Sequence, residues 1–162
     1  MIERPELQAF TKRILEPRKF IQVLMGPRQV GKTTMANQML RKVNISFIFE
    51  SADAVAAVNP VWIEQVWESA RLKMKAQSVK EFVLVIDEIQ KVPNWSEAVK
   101  RLWDQDSINQ TGIKLVLLGS SRLLLNKGLT ESLAGRFETM YLGHLSFVEM
   151  EEAFNWYANQ YA

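Results

Sequence analysis

An apolar run with strand character, Phe20 to Met25, leads straight into Gly26-Pro27-Arg28-Gln29-Val30-Gly31-Lys32-Thr33 and then into a helical pattern. The spacing G-x-x-x-x-G-K-[ST] describes a loop whose consecutive backbone N–H groups curl around a polyphosphate. Gly26 and Gly31 supply conformations that a side chain would block. Lys32 brings a cation to the β- and γ-phosphates, and Thr33 offers a hydroxyl to Mg²⁺. The helix that follows, Thr33 to Lys42, points its free N–H groups at the same anion. Pro27, Gln29 and Val30 complete the cradle, while Arg28 turns either to solvent or to phosphate. The alternative is an ordinary strand–turn–helix connection with a surface lysine. Chance would give this pattern in roughly one chain of this length in several hundred, and the flanking strand and helix are what the mechanism requires.

The rest of the chain alternates short runs rich in Val, Ile and Leu with helical patterns, which predicts an α/β fold with a parallel sheet and helices on both faces. Five runs read as strands: Phe20 to Met25, Ile45 to Phe49, Phe82 to Ile86, Lys114 to Leu118 and Phe137 to Leu142. Between them, Pro5 opens a helix with Leu7, Phe10 and Ile14 on one face, ending before Pro17. Met35, Met39 and Leu40 line the helix after the phosphate loop. Asn59-Pro60 reads as an N-cap followed by proline at the first helical position. Ile63, Val66, Trp67, Ala70 and Met74 then recur at helical spacing. Asn94 with Glu97 starts another helix whose Ala98, Val99, Leu102 and Trp103 face inward. Ser146 and Glu149 form a capping box for a last helix carrying Met150, Ala153, Phe154 and Tyr157.

Composition removes several classes of function. Cysteine is absent and His144 is the single histidine, so disulfides and thiolate or histidine-rich metal sites are excluded. No apolar run approaches the ~20 residues of a membrane span, and no signal-peptide pattern follows Met1, so a cytoplasmic protein without membrane contact is expected. The net charge of +2 is too small to indicate nucleic acid. The basic clusters Lys12-Arg13 with Arg18-Lys19, and Arg71, Lys73 and Lys75, read as solvated helix faces.

Phe82 to Ile86 ends in Asp87-Glu88, and carboxylates at the end of a buried parallel strand stand where ligands bind in open α/β sheets. Asp87 can hold Mg²⁺ through its water shell. Glu88 is the candidate to orient and polarise an attacking water. After the fourth run come Gly119-Ser120-Ser121-Arg122, where Ser120, or Ser121 as second choice, either contacts the γ-phosphate or caps the next helix. Arg136 stands just before the fifth run and either stabilises charge during phosphoryl transfer, in cis or from a neighbouring copy, or makes a surface salt bridge. A guanine-reading box is missing: Asn126-Lys127-Gly128-Leu129 lacks the final aspartate.

Taken together, Gly26 to Thr33, Phe82 to Gln90 (FVLVIDEIQ), Gly119 to Arg122 (GSSR), Gly128 to Glu138 (GLTESLAGRFE) and Leu145-Ser146-Phe147 resemble a family of prokaryotic AAA-type P-loop ATPases. The resemblance covers nearly the whole chain. It implies a three-layer α-β-α P-loop NTPase fold of the additional-strand type, with the five-stranded sheet ordered 5-1-4-3-2. It further implies ATP with Mg²⁺ as ligands, Thr34 beside the α-phosphate, Ser120 or Ser121 at the sensor position and Arg136 in the arginine region. Full-length relatives continue into a helical or winged-helix part and a restriction-nuclease-like domain, so residues 1–162 are expected to be the ATPase domain without them.

Three functions follow as expectations. The first is a Mg²⁺-dependent ATPase with Lys32, Ser120, Glu88 and Arg136 at the reacting phosphate, forming a homo-oligomer if Arg136 acts in trans. The second is a nucleotide-gated module for a protein or DNA partner, with little turnover. The third, a small-molecule kinase, lacks the arginine-rich lid it would need.

Overall fold

A computed structural model describes residues 4–27, 30–55, 59–120 and 129–143. Helix α1 (Pro5–Leu15) precedes β1 (Ile21–Met25), α2 (Lys32–Val43), β2 (Phe47–Ser51), α3 (Pro60–Gln77), β3 (Phe82–Asp87), α4 (Trp95–Asn109), β4 (Ile113–Gly119), the short α5 (Leu129–Ser132) and β5 (Phe137–Tyr141). All neighbouring strands pair parallel, in the order β2-β3-β4-β1-β5. This is the expected order 5-1-4-3-2 read from the other edge. The helix expected from Ser146 onward lies outside the described residues.

Alternation along the strands builds two cores. Phe82, Leu84 and Ile86 of β3, with Ile113, Leu115 and Leu117 of β4, pack under α3 and α4. Val83, Val85, Val116 and Leu118 turn to the opposite face and meet α1 and α2. The result is a three-layer α/β/α domain. Phe10 and Phe82 are almost fully buried, 1% and 0% exposed, and burial of a side chain of this kind is worth ~1.5–3 kcal/mol.

Local chemistry sets the helix ends. Asn59 Oδ1 accepts from the backbone N–H of Val61 (2.9 Å) and Trp62 (3.3 Å), with Pro60 at the first helical position of α3. Asn94, by contrast, stands before α4 in a left-handed conformation (φ 54°) and makes no side-chain cap bond. The fully buried Trp95 pins that end to the core instead.

Lys12, Arg13, Lys19, Lys73 and Lys75 are exposed, as expected of solvated faces, but Arg18 and Arg71 do more. Arg18 lies with its guanidinium carbon 3.5 Å from the centre of the Trp103 ring and donates to the carbonyls of Trp103 and Ile113. Arg71 Nε donates to Asp106 Oδ1 (2.9 Å), while Trp67 Nε1 donates to Oδ2 (2.7 Å) of the same buried carboxylate. These arginines therefore join α1's connection to α4, and α3 to α4, because a buried carboxylate or carbonyl needs a donor.

The second strand runs two residues later than expected, Phe47–Ser51 rather than Ile45 to Phe49. It is an edge strand whose register is fixed by β3, with Phe47 opposite Val83 and Ser51 opposite Asp87. Ile45 packs against the α1–α2 core from outside the strand. The shift brings the residues just after β2 to the carboxyl edge of the sheet.

Candidate functional site

The loop after β1 is tied down by its neighbours. The N–H of Gly26 donates to the carbonyl of Gly119 (3.3 Å), and that of Leu142 donates to the carbonyl of Met25 (2.7 Å). A Cβ on Gly26 would lie 2.1 Å from the Leu142 carbonyl oxygen, so glycine is required there by close backbone approach. Gly31 has the other reason: its φ of 93° is left-handed, where a side chain is strained. Val30 sits in the core, and its carbonyl accepts from Arg4 Nη1 (2.9 Å), while Arg4 Nη2 reaches the carbonyl of Gly143 (2.8 Å). Lys32 opens α2 with its side chain folded over the loop, donating from Nζ to the carbonyls of Gly26 (2.6 Å) and Pro27 (2.9 Å). Arg28 and Gln29 lie outside the described residues.

In front of this loop is a cleft of about 480 Å³ lined by Gly31, Lys32, Thr33, Thr34, Asp53, Asp87 and Glu88. It joins two sequence motifs more than fifty residues apart. Asp87 closes β3 level with Ser51 of β2 and Leu118 of β4. Burial raises its carboxyl above the ordinary aspartate value, and the charges of Glu88 and Asp53 add to this, against a backbone hydrogen bond at Glu88 and the Lys32 ammonium. Glu88 adopts a left-handed φ of 56°, and Gln90 Nε2 donates to its Oε2 at 2.6 Å. Asp53, which the sequence reading did not single out, follows β2 on a 3₁₀ turn and forms an ion pair with Lys91.

The donors facing the cleft from Thr33 and Asp87 are oxygens, the chemistry of a hard cation such as Mg²⁺. No cluster of three or more acidic or histidine ligands occurs among the described residues. A cation here would take the rest of its shell from phosphate oxygens and water, as Mg²⁺ does beside bound nucleotides.

The raised pKa of Asp87 has a sign. A folded-state value above the unfolded one means that the ionised carboxylate opposes folding, so this contribution improves as pH falls through that window. Asp87→Asn is expected to raise the thermal midpoint of the free protein while weakening the Mg²⁺ dependence of nucleotide binding. Melting curves and titrations with and without Mg²⁺ check both halves; an unchanged or lower midpoint would contradict the first.

Ser120 directly follows Gly119, which pairs with Met25, so it stands at the correct edge beside the loop, half-buried, but is not part of the cleft lining. Ser121 and Arg122 lie outside the described residues. Arg136 is not brought to the cleft. Its carbonyl accepts from the N–H of Ile21, at the amino-terminal end of β1, which puts it roughly 16 Å of strand from the loop. Its guanidinium forks onto Asp104 of α4, Nε to Oδ1 at 2.8 Å and Nη2 to Oδ2 at 2.9 Å. A role for Arg136 in cis is therefore corrected to an ion pair that fixes the start of β5 against α4.

That hydrogen bond holds the Asp104 carboxyl below its ordinary value, so the pair's stabilisation is present above the unfolded pKa and is lost as pH falls through the folded one. Both partners are part-exposed, which limits the pair to about 1 kcal/mol. Arg136→Ala is expected to lower the midpoint slightly at neutral pH, less at acid pH, with nucleotide affinity unchanged. A loss of turnover seen only at concentrations where the chain self-associates would assign the residue to a neighbouring copy's site instead.

Residues 18–151 match the family model described as AAA domain. The chain belongs to the AAA domain family. This AAA domain is 32% identical over 117 residues to the uncharacterized protein MJ1544 of Methanocaldococcus jannaschii, a match covering 72% of the chain and 24% of that protein. Its fold is similar to that of the Orc1 protein of Aeropyrum pernix, solved in complex with DNA, with a TM-score of 0.65 and 17% identity over 96% of this chain and 48% of that one. The domain thus spans about a quarter of the curated relative and about half of the solved chain. Family and fold together make it a P-loop nucleotide-binding domain. None of the described helices is long and apolar enough to cross a membrane.

Proposed function

We infer that this AAA domain binds Mg·ATP and hydrolyses it to ADP and phosphate. The reading is supported by one observation above all: Lys32, Thr33 and Thr34 share a single cleft with Asp87 and Glu88. Loop N–H groups and Lys32 would take the β- and γ-phosphates, Thr34 would lie beside the α-phosphate, and Thr33 and Asp87 would hold Mg²⁺. Mg²⁺ held there would supply Lewis-acid stabilisation of the charge on the phosphate oxygens. Glu88 orients a water for attack on the γ-phosphorus; the bond to the β–γ bridging oxygen breaks, and ADP leaves with that electron pair. The water's proton passes to Glu88 or to a phosphate oxygen. Most of the rate acceleration is positioning and electrostatics.

Residue chemistry favours water as acceptor, and the absence of a guanine-reading box favours ATP over GTP. The DNA in the Orc1 complex suggests the second reading, a nucleotide-gated switch on nucleic acid. Charge gives that reading little support: Arg13, Arg18, Arg71, Arg101 and Arg136 are engaged with acids, carbonyls or an aromatic ring of the same chain.

Titration with ATP and GTP, with and without Mg²⁺, while following phosphate release, tests the reading. Mg²⁺-dependent binding of ATP with release supports it. Tight binding without release supports the switch, and binding of neither nucleotide overturns both.

A further inference from the structure

Glu88 begins a 3₁₀ turn, Ile89–Lys91, that is held on both sides by the core. Ile89 and Val92 are each 0% exposed, and the N–H groups of Lys91 and Val92 donate back to the carbonyls of Glu88 (3.1 Å) and Ile89 (3.0 Å). Within this turn Gln90 is almost completely buried, at 6% exposure. Its Nε2 donates to Glu88 Oε2 at 2.6 Å, whereas its Oε1 is buried with no partner among the described residues.

A buried primary amide that uses only its donor half is an expensive way to fill space, since interior polar groups are normally satisfied. Methionine or leucine would occupy the same volume without an unpaired oxygen. The half-used amide therefore has to be accounted for by what its N–H does. It grips one oxygen of a carboxylate whose backbone is itself in a strained, left-handed conformation.

We propose that Gln90 is the positioning residue for Glu88: its amide fixes the Oε2 oxygen so that Oε1 faces the cleft and lines a water up with the γ-phosphorus. This rests on the ATPase reading and deepens it. A carboxylate rotating freely about its side-chain bonds would present the correct oxygen for only part of the time, and small losses of alignment are costly in a reaction catalysed by orientation. The charge-assisted contact is of the strong kind, and it acts on the carboxylate without touching nucleotide.

A double-mutant cycle in the full chain tests this, using Gln90→Met, Glu88→Gln and both together. Gln90→Met is expected to leave the dissociation constant for Mg·ATP within about threefold and to lower kcat about 10- to 100-fold. In the Glu88→Gln background the same change should lower the residual rate no further, because the carboxylate it positions is gone. A second readout needs no turnover: the Gln90 side-chain amide resonance of the free protein should move on Glu88→Gln and stay in place on Asp53→Asn. Equal losses in both backgrounds, or an amide resonance indifferent to Glu88→Gln, would overturn the proposal while leaving the ATPase reading standing. Absence of phosphate release from the parent chain would overturn the ATPase reading itself, and this one with it.

Discussion

Lys32→Ala is expected to reduce affinity for Mg·ATP by about 100-fold or more, which corresponds to ~3 kcal/mol. Two effects add. The ammonium at the loop is the cation that lines the cleft among the described residues, and charge-assisted hydrogen bonds to phosphate are the strong ones. In the free fold the same group also donates to the carbonyls of Gly26 and Pro27, so it ties the loop down as well as supplying charge. Lys32→Met, which keeps the stem that packs at 8% exposure, separates charge from packing. It should fold like the parent and bind as poorly as the alanine variant. Isothermal titration on both proteins decides; affinity within a few-fold of the parent for Lys32→Met would mean that the loop amides alone carry the phosphate.

The phosphate loop was legible because its chemistry is contiguous. Gly26, Gly31, Lys32 and Thr33 act through one turn of backbone, so eight consecutive letters hold the whole device. Asp87 and Glu88 were legible for a related reason: an apolar run marks its own carboxyl end. The strand order came from the family resemblance rather than from the residues, since no local pattern says that β4 lies between β1 and β3.

What escaped was set by distance along the chain. Asp53 reaches the cleft because β2 ends at Ser51, opposite Asp87 of β3, a register that no feature of Phe47 to Ser51 announces. The acid that captures Arg136 is Asp104, 32 residues away on another layer, so the arginine looked equally suited to phosphate. Arg4, ahead of α1, clasps the carbonyls of Val30 and Gly143, the latter 139 residues on. Even Lys114, inside an apolar strand, is buried and donates to the carbonyl of Ile14 at 2.7 Å. Local motifs thus expose the groups that line the cleft, while the contacts of Arg4, Lys114 and Arg136 are long-range and appear only with the fold.

Glu88→Gln divides binding from chemistry within the same cleft. The substitution keeps the shape of the side chain, and an amide oxygen can still accept from Gln90, so the turn from Glu88 to Val92 should persist. It removes a negative charge beside Asp87, which is already crowded by burial and by that charge. Affinity for Mg·ATP should therefore be equal to the parent's or better. The neutral amide, however, cannot accept the proton of an attacking water, and loss of a general base typically costs 10²–10⁴ in rate. The expected protein binds ATP, releases little or no phosphate, and accumulates the triphosphate-bound form. Release at the parent's rate would remove Glu88 from the chemistry and leave phosphate itself, or a group from a second copy, as proton acceptor. Loss of binding together with release would instead show that the carboxylate supports the fold of the cleft. Equilibrium binding and single-turnover release on one preparation separate these cases, because charge removal and proton acceptance predict opposite changes in the two measurements.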